Sequence, residues 1–218
     1  MKGIDESTTR EKVLKKIRAS LLQQTANPYP RLSFDQQVFH LPHTDPLVIF
    51  ADRAEKAGVK FFLAADELDF MESLVNLSIQ HKWRNVLCLE DGLSNLMTEC
   101  EYPHHVSSED IERIDVAVSS CECLVARTGS VVLSSRENTR SVPAYAPIHI
   151  VLARVSQLAL DLKDALSWMK HKYNRLPSSF SIVTGPSCTA DIEGQPVIGV
   201  HGPGELYVFV IDDRAQSS

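Results

Sequence analysis

Between Asp45 and Cys100 the chain alternates two hydrophobic rhythms, and this alternation constrains the fold more than any other feature. Asp45-Pro46 opens a helix, with Asp as cap and Pro in the first turn. Leu47, Phe50, Ala51, Ala54 and Ala57 form its apolar side, and Gly58 closes it. VKFFLA (59–64) is short, apolar and strand-like. Residues 66–82 return to helical spacing, with Leu68, Met71, Leu74, Val75 and Ile79 expected on the inner side. NVLCLE (85–90) is another strand, and DGLSNLMTEC a short helix. Strands separated by helices of this length imply βαβ crossovers, and hence an α/β fold with a mostly parallel sheet flanked by helices.

The rhythm changes after Asp110. VAVSSCECLVA and SVVLSS are two strand-like runs around Arg-Thr-Gly, which predicts a hairpin reversing at Gly129. Cys121 and Cys123 alternate along the first run, so both sulfurs are expected on one strand face, as small buried hydrophobes. IHIVLAR (148–154) is a further strand, residues 156–173 read as a helix, and FSIVTG (180–185) and ELYVFVID (205–212) are the last strands.

Composition narrows the class. A chain of 218 residues with 44% hydrophobic content suits one core-forming domain with a small appendage. The expected divisions are an N-terminal helix and arm (1–44), a main domain (45–212) and a short tail (213–218). In the appendage, Thr8 and Glu11 form a capping box for a helix over 8–23, and prolines break up 25–46. A net charge of −6 and no dense basic cluster argue against nucleic acid as a partner. No apolar run approaches the roughly 20 residues that span a bilayer, and no signal core opens the chain, so a cytoplasmic protein without a membrane span is expected. Five cysteines, an odd number without metal-site spacing, read as free thiols, with no metal site.

Two stretches carry a high density of chemistry. TGPSCTADIEGQPVIGVHGPGELYVFVID (184–212) holds five of the nine glycines and three of the eleven prolines. Gly185, Ser187, Thr189 and Asp191 follow a strand and read as the start of a helix, where free N–H groups attract anions. In a parallel sheet such a junction is expected at the carboxyl ends of the strands. Glu193 and His201 lie close by, His201 between glycines. In the second stretch, 126–151, Thr128-Gly129-Ser130 offers hydroxyls and N–H groups at a reversal. Arg136 and Arg140 suit bidentate capture of a carboxylate or phosphate, and Ser141 follows them. His149 should point to the sheet face opposite Ile148 and Ile150. Capping, solvated loop charge and a structurally satisfied histidine are the plainer readings of the same residues. No Walker motif, GxGxxG, zinc cluster or Ser-His-Asp order is present, so no catalytic residue is assigned.

Taken together, TGSVVLSS (128–135), Arg140 with Pro147, His149 and Ile150, GPSCTADIE (185–193), GVHGP (199–203) and LYVFVID resemble the lactate-utilisation protein C family, built on the LUD domain. The likeness runs over roughly 45–212. It implies a Rossmann-like fold of the NagB/RpiA/CoA-transferase group. It also implies work in a system oxidising L-lactate to pyruvate, with iron–sulfur and CCG-domain subunits as partners. This chain lacks the cysteine runs of those subunits, so iron–sulfur clusters are expected on the partners and no cofactor on this chain. Two positions depart from the family pattern: Arg127 before the TGS turn and Cys188 after GPS.

The leading expectation is an auxiliary subunit of lactate oxidation that binds a small anion between the 128–141 and 185–201 loops. Arg136 and Arg140 would neutralise the anion, Ser187 and Thr189 would hydrogen-bond it, and Asp191, Glu193 and His201 would orient the polar groups. Two alternatives stand beside it. One is a stand-alone enzyme of the same fold acting on a phosphate, CoA or folate substrate. The other is a structural or regulatory module docking through its N-terminal helix.

Overall fold

The computed structural model describes residues 8–22, 29, 44–107, 111–135, 146–189, 197–200 and 202–214. The chain divides into two units, 1–40 and 41–218. In the first, α1 (Thr9–Leu22) is capped as expected: the Thr8 N–H donates to the Glu11 carboxylate at 2.8 Å and the Glu11 N–H donates to Thr8 Oγ1 at 3.3 Å. No residue of α1 is buried. Most of the proline-rich arm, 25–46, lies outside the described residues.

The second unit is built on a parallel sheet of β1 (Lys60–Ala64), β2 (Val86–Cys88), β3 (Val116–Ser119), β6 (Ile148–Arg154) and β11 (Glu205–Ile211), in the order β1-β11-β6-β3-β2. All four pairings are parallel. α2 (Pro46–Lys56), α3 (Glu67–His81) and α4 (Asp91–Glu99) interleave with the first strands, as the alternating rhythm required. Asp45 caps α2 by accepting the Leu47 N–H at 2.9 Å.

One sheet face packs under α3 and α4. There Phe70, Met71, Leu74, Leu93 and Met97 meet Val118, Ile150, Leu152, Tyr207 and Phe209. The inner face of α3 therefore differs from the expected one. Phe70 joins Met71 and Leu74, while Leu68 and Ile79 are 67% and 72% exposed. Phe70 takes the inner position because its ring meets Phe209 edge-on at 5.2 Å.

The other face is covered by α2 and by a second sheet that the sequence pattern did not predict. It comprises β4 (Cys123–Val125), β5 (Ser130–Ser134), β7 (Leu158–Ala159) and β8 (Phe180–Val183), in the order β7-β4-β5-β8. Val151, Ala153, Val208 and Val210 of the parallel sheet pack with Phe50 and Ala54 of α2 and with Leu124 and Val131 of the small sheet. α5 (Leu162–Lys172) closes the far side of the small sheet through Ala165 and Met169.

Three further expectations are corrected. VAVSSCECLVA is two strands in two sheets, because the chain leaves the parallel sheet after Ser119. Cys121 thus lies in the core between the sheets and Cys123 beneath α5, not on one shared face. Between them Glu122, 1% exposed, accepts from Lys172 Nζ at 2.8 Å and Tyr173 Oη at 2.8 Å. Burial pushes its carboxyl up, but the hydrogen bonds from Lys172, Ser134 and Tyr173 outweigh that and hold it below the usual range.

The helix expected over 156–173 starts only at Leu162. Residues 158–159 are bound to β4, and Asp161 forms a capping box with Asp164. Finally, residues 188–189 do not open a helix. They form β9 (Cys188–Thr189), paired antiparallel with β10 (Val197–Ile198). The hairpin at Gly129 is as expected, with φ at +64°.

Candidate functional site

The two chemistry-dense stretches meet at the amino ends of β6 and β11, neighbours in the parallel sheet. The Ser187 N–H donates to the Pro203 carbonyl at 2.8 Å, and the Ser187 carbonyl accepts the Gly199 N–H at 2.9 Å. The Gly204 N–H donates to the Pro147 carbonyl at 2.8 Å. The junction after β8 thus sits beside the amino end of β11, not at the carboxyl ends of parallel strands as expected. It departs because β8 is a strand of the small sheet, paired antiparallel with β5, and not a strand of the parallel sheet.

Thr128, Ser130 and Thr184 form one hydroxyl cluster. Ser130 Oγ donates to Thr128 Oγ1 at 2.7 Å and lies 2.6 Å from Thr184 Oγ1. This ties the β4–β5 turn to the end of β8. Gly129 and Gly185 are packed against α2. A Cβ on Gly129 would stand 2.3 Å from the Ala54 nitrogen, and one on Gly185 would stand 2.1 Å from the Ala57 carbonyl oxygen. Both glycines have positive φ, so they combine close approach with a backbone that side chains disfavour.

His149 points away from Ile148 and Ile150, as the strand period requires, and is completely buried. Its Nε2 is 2.8 Å from Ser119 Oγ, and its Nδ1 has no partner among the described residues. Burial alone pushes its pKa down to about 4, so the ring is neutral at physiological pH. Thr189 Oγ1 is likewise buried without a partner among the described residues. Arg136, Arg140, Ser141, Asp191, Glu193 and His201 lie outside the described residues.

The two departures from the family pattern have separate surroundings. Arg127 Nη2 binds the Asp161 carboxylate at 2.9 Å and so braces the start of α5. That bond holds the Asp161 carboxyl below its usual range. Cys188 is an exposed thiol on β9. All five cysteines are free.

The carboxyl end of the parallel sheet holds something different: a cleft of about 790 Å³. Its polar lining comes from Glu67 at the start of α3, Glu90 and Asp91 at the start of α4, Ser120 after β3, and Arg154 at the end of β6. Arg154 Nη2 is paired with Glu67 Oε1, and that bond holds the Glu67 carboxyl below its usual range. Both Glu90 carboxylate oxygens accept the Ser120 N–H, at 2.9 and 3.1 Å. Sequence reasoning missed these residues because they are scattered over almost ninety positions. One signal pointed to them: NVLCLE and IHIVLAR each end an apolar run on a charged residue, the position where α/β sheets present ligand-facing side chains.

Among the described residues, no group of three or more His, Cys, Asp and Glu side chains is arranged to hold a metal ion. Nor is any described helix long and apolar enough to cross a membrane.

Comparison with known proteins follows the same outline. The LUD domain family model matches residues 104–211, from just before β3 through β11. Lactate utilization protein C of Halalkalibacterium halodurans is 31% identical over 171 residues, covering 68% of this chain and 72% of that protein. Lactate utilization protein C of Bacillus licheniformis is 33% identical over 141 residues, covering 57% and 59%. An uncharacterized protein of Neisseria meningitidis is 33% identical over 105 residues, covering 48% and 45%. The chain spans about half the length of most of the curated relatives it matches. A crystal structure of a DUF162 family protein from Deinococcus radiodurans superposes with a TM-score of 0.56 at 18% identity, over 79% of this chain and 99% of that one. That likeness establishes a shared α/β fold.

Proposed function

The chain belongs to the LUD-domain, lactate utilization protein C family, and from that premise we propose that it is a ligand-binding subunit of lactate oxidation. In this reading the fold is of the NagB/RpiA/CoA-transferase group, and the chain works in the cytoplasm. It binds a small carboxylate, lactate or pyruvate, at the amino ends of β6 and β11. Iron–sulfur and CCG-domain partner subunits carry the electrons, and this chain carries no cofactor.

The observation that carries the reading is His149. It lies fully buried near the start of β6, with Nδ1 unpartnered among the described residues. A buried polar atom without a hydrogen bond costs about 1–3 kcal/mol, and a ligand that supplies the bond recovers that cost. Both dense loops rejoin the sheet beside it, one entering β6 after Pro147 and the other entering β11 after Gly204. Ser119 Oγ donates to the Ser120 carbonyl at 3.0 Å, so Nε2–H donates to Ser119 and the neutral ring presents Nδ1 as an acceptor, suited to a ligand hydroxyl such as that of lactate and supplying no charge. Positive charge for the anion therefore falls to Arg136 and Arg140, with Ser187 and Thr189 adding hydroxyls.

The test is thermal unfolding of the purified chain with L-lactate, pyruvate and acetyl-CoA. Lactate or pyruvate should raise Tm in a saturable way, about 2.7 kcal/mol of stabilisation at a hundredfold excess over Kd. His149→Gln should weaken that binding about tenfold or more. If none of the three compounds moves Tm, or if His149→Gln binds lactate as the parent chain does, the proposed ligand site is wrong.

A further inference from the structure

We propose that Ser119 is a positioning residue that makes the carboxylate site select a 2-hydroxy acid over the matching 2-oxo acid. The inference rests on the binding of a small carboxylate at His149, and it deepens that reading by naming the residue that decides what His149 offers the ligand. Ser119 ends β3, and His149 stands near the start of β6. The two strands are neighbours, and Ala117 lies opposite His149 in their register. Ser119, two residues further along β3, therefore shares the sheet face of His149 and lies diagonal to it. Both side chains are completely buried.

A neutral imidazole carries one ring proton, and its two tautomers offer opposite things at Nδ1. With the proton on Nδ1 that atom donates; with the proton on Nε2 it accepts. Ser119 decides between them. Its hydroxyl has a single proton, and that proton goes to the Ser120 carbonyl at 3.0 Å. The oxygen 2.8 Å from Nε2 then has only lone pairs to give, so the ring proton belongs on Nε2. The opposite arrangement would turn the Ser119 proton to Nε2 and break its bond to the Ser120 carbonyl. It would also put an N–H on Nδ1, where no described residue accepts it. In folded proteins, buried N–H groups without an acceptor are rarer than acceptors left without a donor. Glu90 accepts the Ser120 N–H at 2.9 Å and so helps hold Ser120, the receiver of the Ser119 proton, in place.

The atom presented to the ligand is thus a lone pair in a closed, uncharged setting. A 2-hydroxy acid brings an O–H to it. A 2-oxo acid of the same size brings a carbonyl oxygen, which has no proton to give, and leaves two lone pairs facing each other. Sites that bond a substrate hydroxyl reject the analogue without it, because their buried polar group is left unpaired. The carboxylate is common to both acids. The discrimination therefore lies at the second carbon, and Ser119 sets it through His149 without touching the ligand.

The experiment has two arms on the full chain. Heteronuclear NMR with nitrogen-labelled histidine, at neutral pH and without ligand, reads the tautomer directly. The proton of His149 should sit on Nε2, with Nδ1 of the pyridine type. Calorimetry with L-lactate, pyruvate and propionate reads the preference. L-Lactate should bind about tenfold or more tighter than pyruvate, with propionate, which lacks both groups, between them. Neither readout needs a folded variant. Ser119→Ala takes away the acceptor of Nε2–H, so it should mix the tautomers and cut the lactate-to-pyruvate ratio severalfold. Ser119→Thr keeps the hydroxyl and should restore both. A purely structural Ser119 would change stability and leave tautomer and ratio alone. A proton on Nδ1 in the parent chain would overturn the proposal. So would pyruvate binding as tightly as lactate, or a ratio that Ser119→Ala does not move. Equal binding of both acids, weakened alike by His149→Gln, would leave the carboxylate site standing and remove only the role of Ser119. If neither acid binds, the site itself is wrong and the selectivity goes with it.

Discussion

The two ends of strand β6 teach opposite lessons about reading a binding site. At its amino end the sequence is crowded with glycine, hydroxyl and proline, and much of that crowding does structural work. Gly129 and Gly185 let the turns close on the backbone of α2, and Thr128, Ser130 and Thr184 bond to one another. Among the described residues, what remains unspent there is small: the Nδ1 of His149 and the Oγ1 of Thr189. At its carboxyl end no motif announces anything. Yet the charged residues that end the apolar strands, with the starts of two helices, enclose the cleft. A dense motif marks where a fold is tightly constrained, and open space marks where it can accept something. The two need not coincide.

The largest expected effect tests the constrained end directly. Gly129→Ala and Gly185→Ala each force a Cβ to within 2.3 Å or less of α2 backbone, at φ values of +64° and +86°. Neither clash is with a flexible side chain, so α2 must shift or the turn must open. Each substitution should cost about 3 kcal/mol or more in urea unfolding. Gly92, at the cleft end, has nothing within 4 Å of a built Cβ and lies in the first turn of α4. Gly92→Ala should be neutral or stabilising by up to about 1 kcal/mol. Equal costs at Gly92 and Gly129 would erase the contrast between the two ends.

A pH scan sharpens the same comparison. His149 titrates near 6.5 when unfolded and at about 4 when folded, because burial disfavours the imidazolium. Between those values the unfolded chain binds the extra proton, so folding stability rises with pH. The contribution is complete above about pH 6.5 and is lost progressively as pH falls towards 4, in total about 3 kcal/mol. His149→Gln should flatten the stability profile in that window. Glu67, at the other end, is shifted down by Arg154, so its contribution is lost only below its unfolded value of 4.5. A parent profile already flat from pH 6.5 to 4.5 would show that His149 is not held neutral by burial.

How much of this was legible in advance follows from range. Helix α1, the helices and strands of the parallel sheet, and the β4–β5 hairpin could be read because their signals are local: caps at Thr8 and Asp45, apolar periods, and glycine at the reversal. The full second sheet and the β9–β10 ribbon could not, because β7, β9 and β10 are two-residue strands defined by what they pair with, not by their own composition. Leu158 looked helical and is strand because Leu124 lies beside it. The split of VAVSSCECLVA depended on Glu122 finding Lys172 and Tyr173, about fifty residues away. The site divided likewise. His149 was legible from alternation along one strand, whereas the cleft is assembled by topology from residues 67, 90, 120 and 154.

The smallest effect concerns the Arg154–Glu67 pair, and it decides what kind of end the carboxyl end is. Both side chains are about 40% exposed, so water screens them and the pair should add little stability. Glu67→Gln and Arg154→Gln are each expected to cost about 1 kcal/mol or less, with a coupling energy of roughly 0.5 kcal/mol in a double-mutant cycle. A pair that weak lines the cleft without bracing the fold. A coupling energy above about 2 kcal/mol would mean a desolvated pair that works as a structural brace. The carboxyl end would then be as constrained as the amino end, and the difference between them would lie in volume alone.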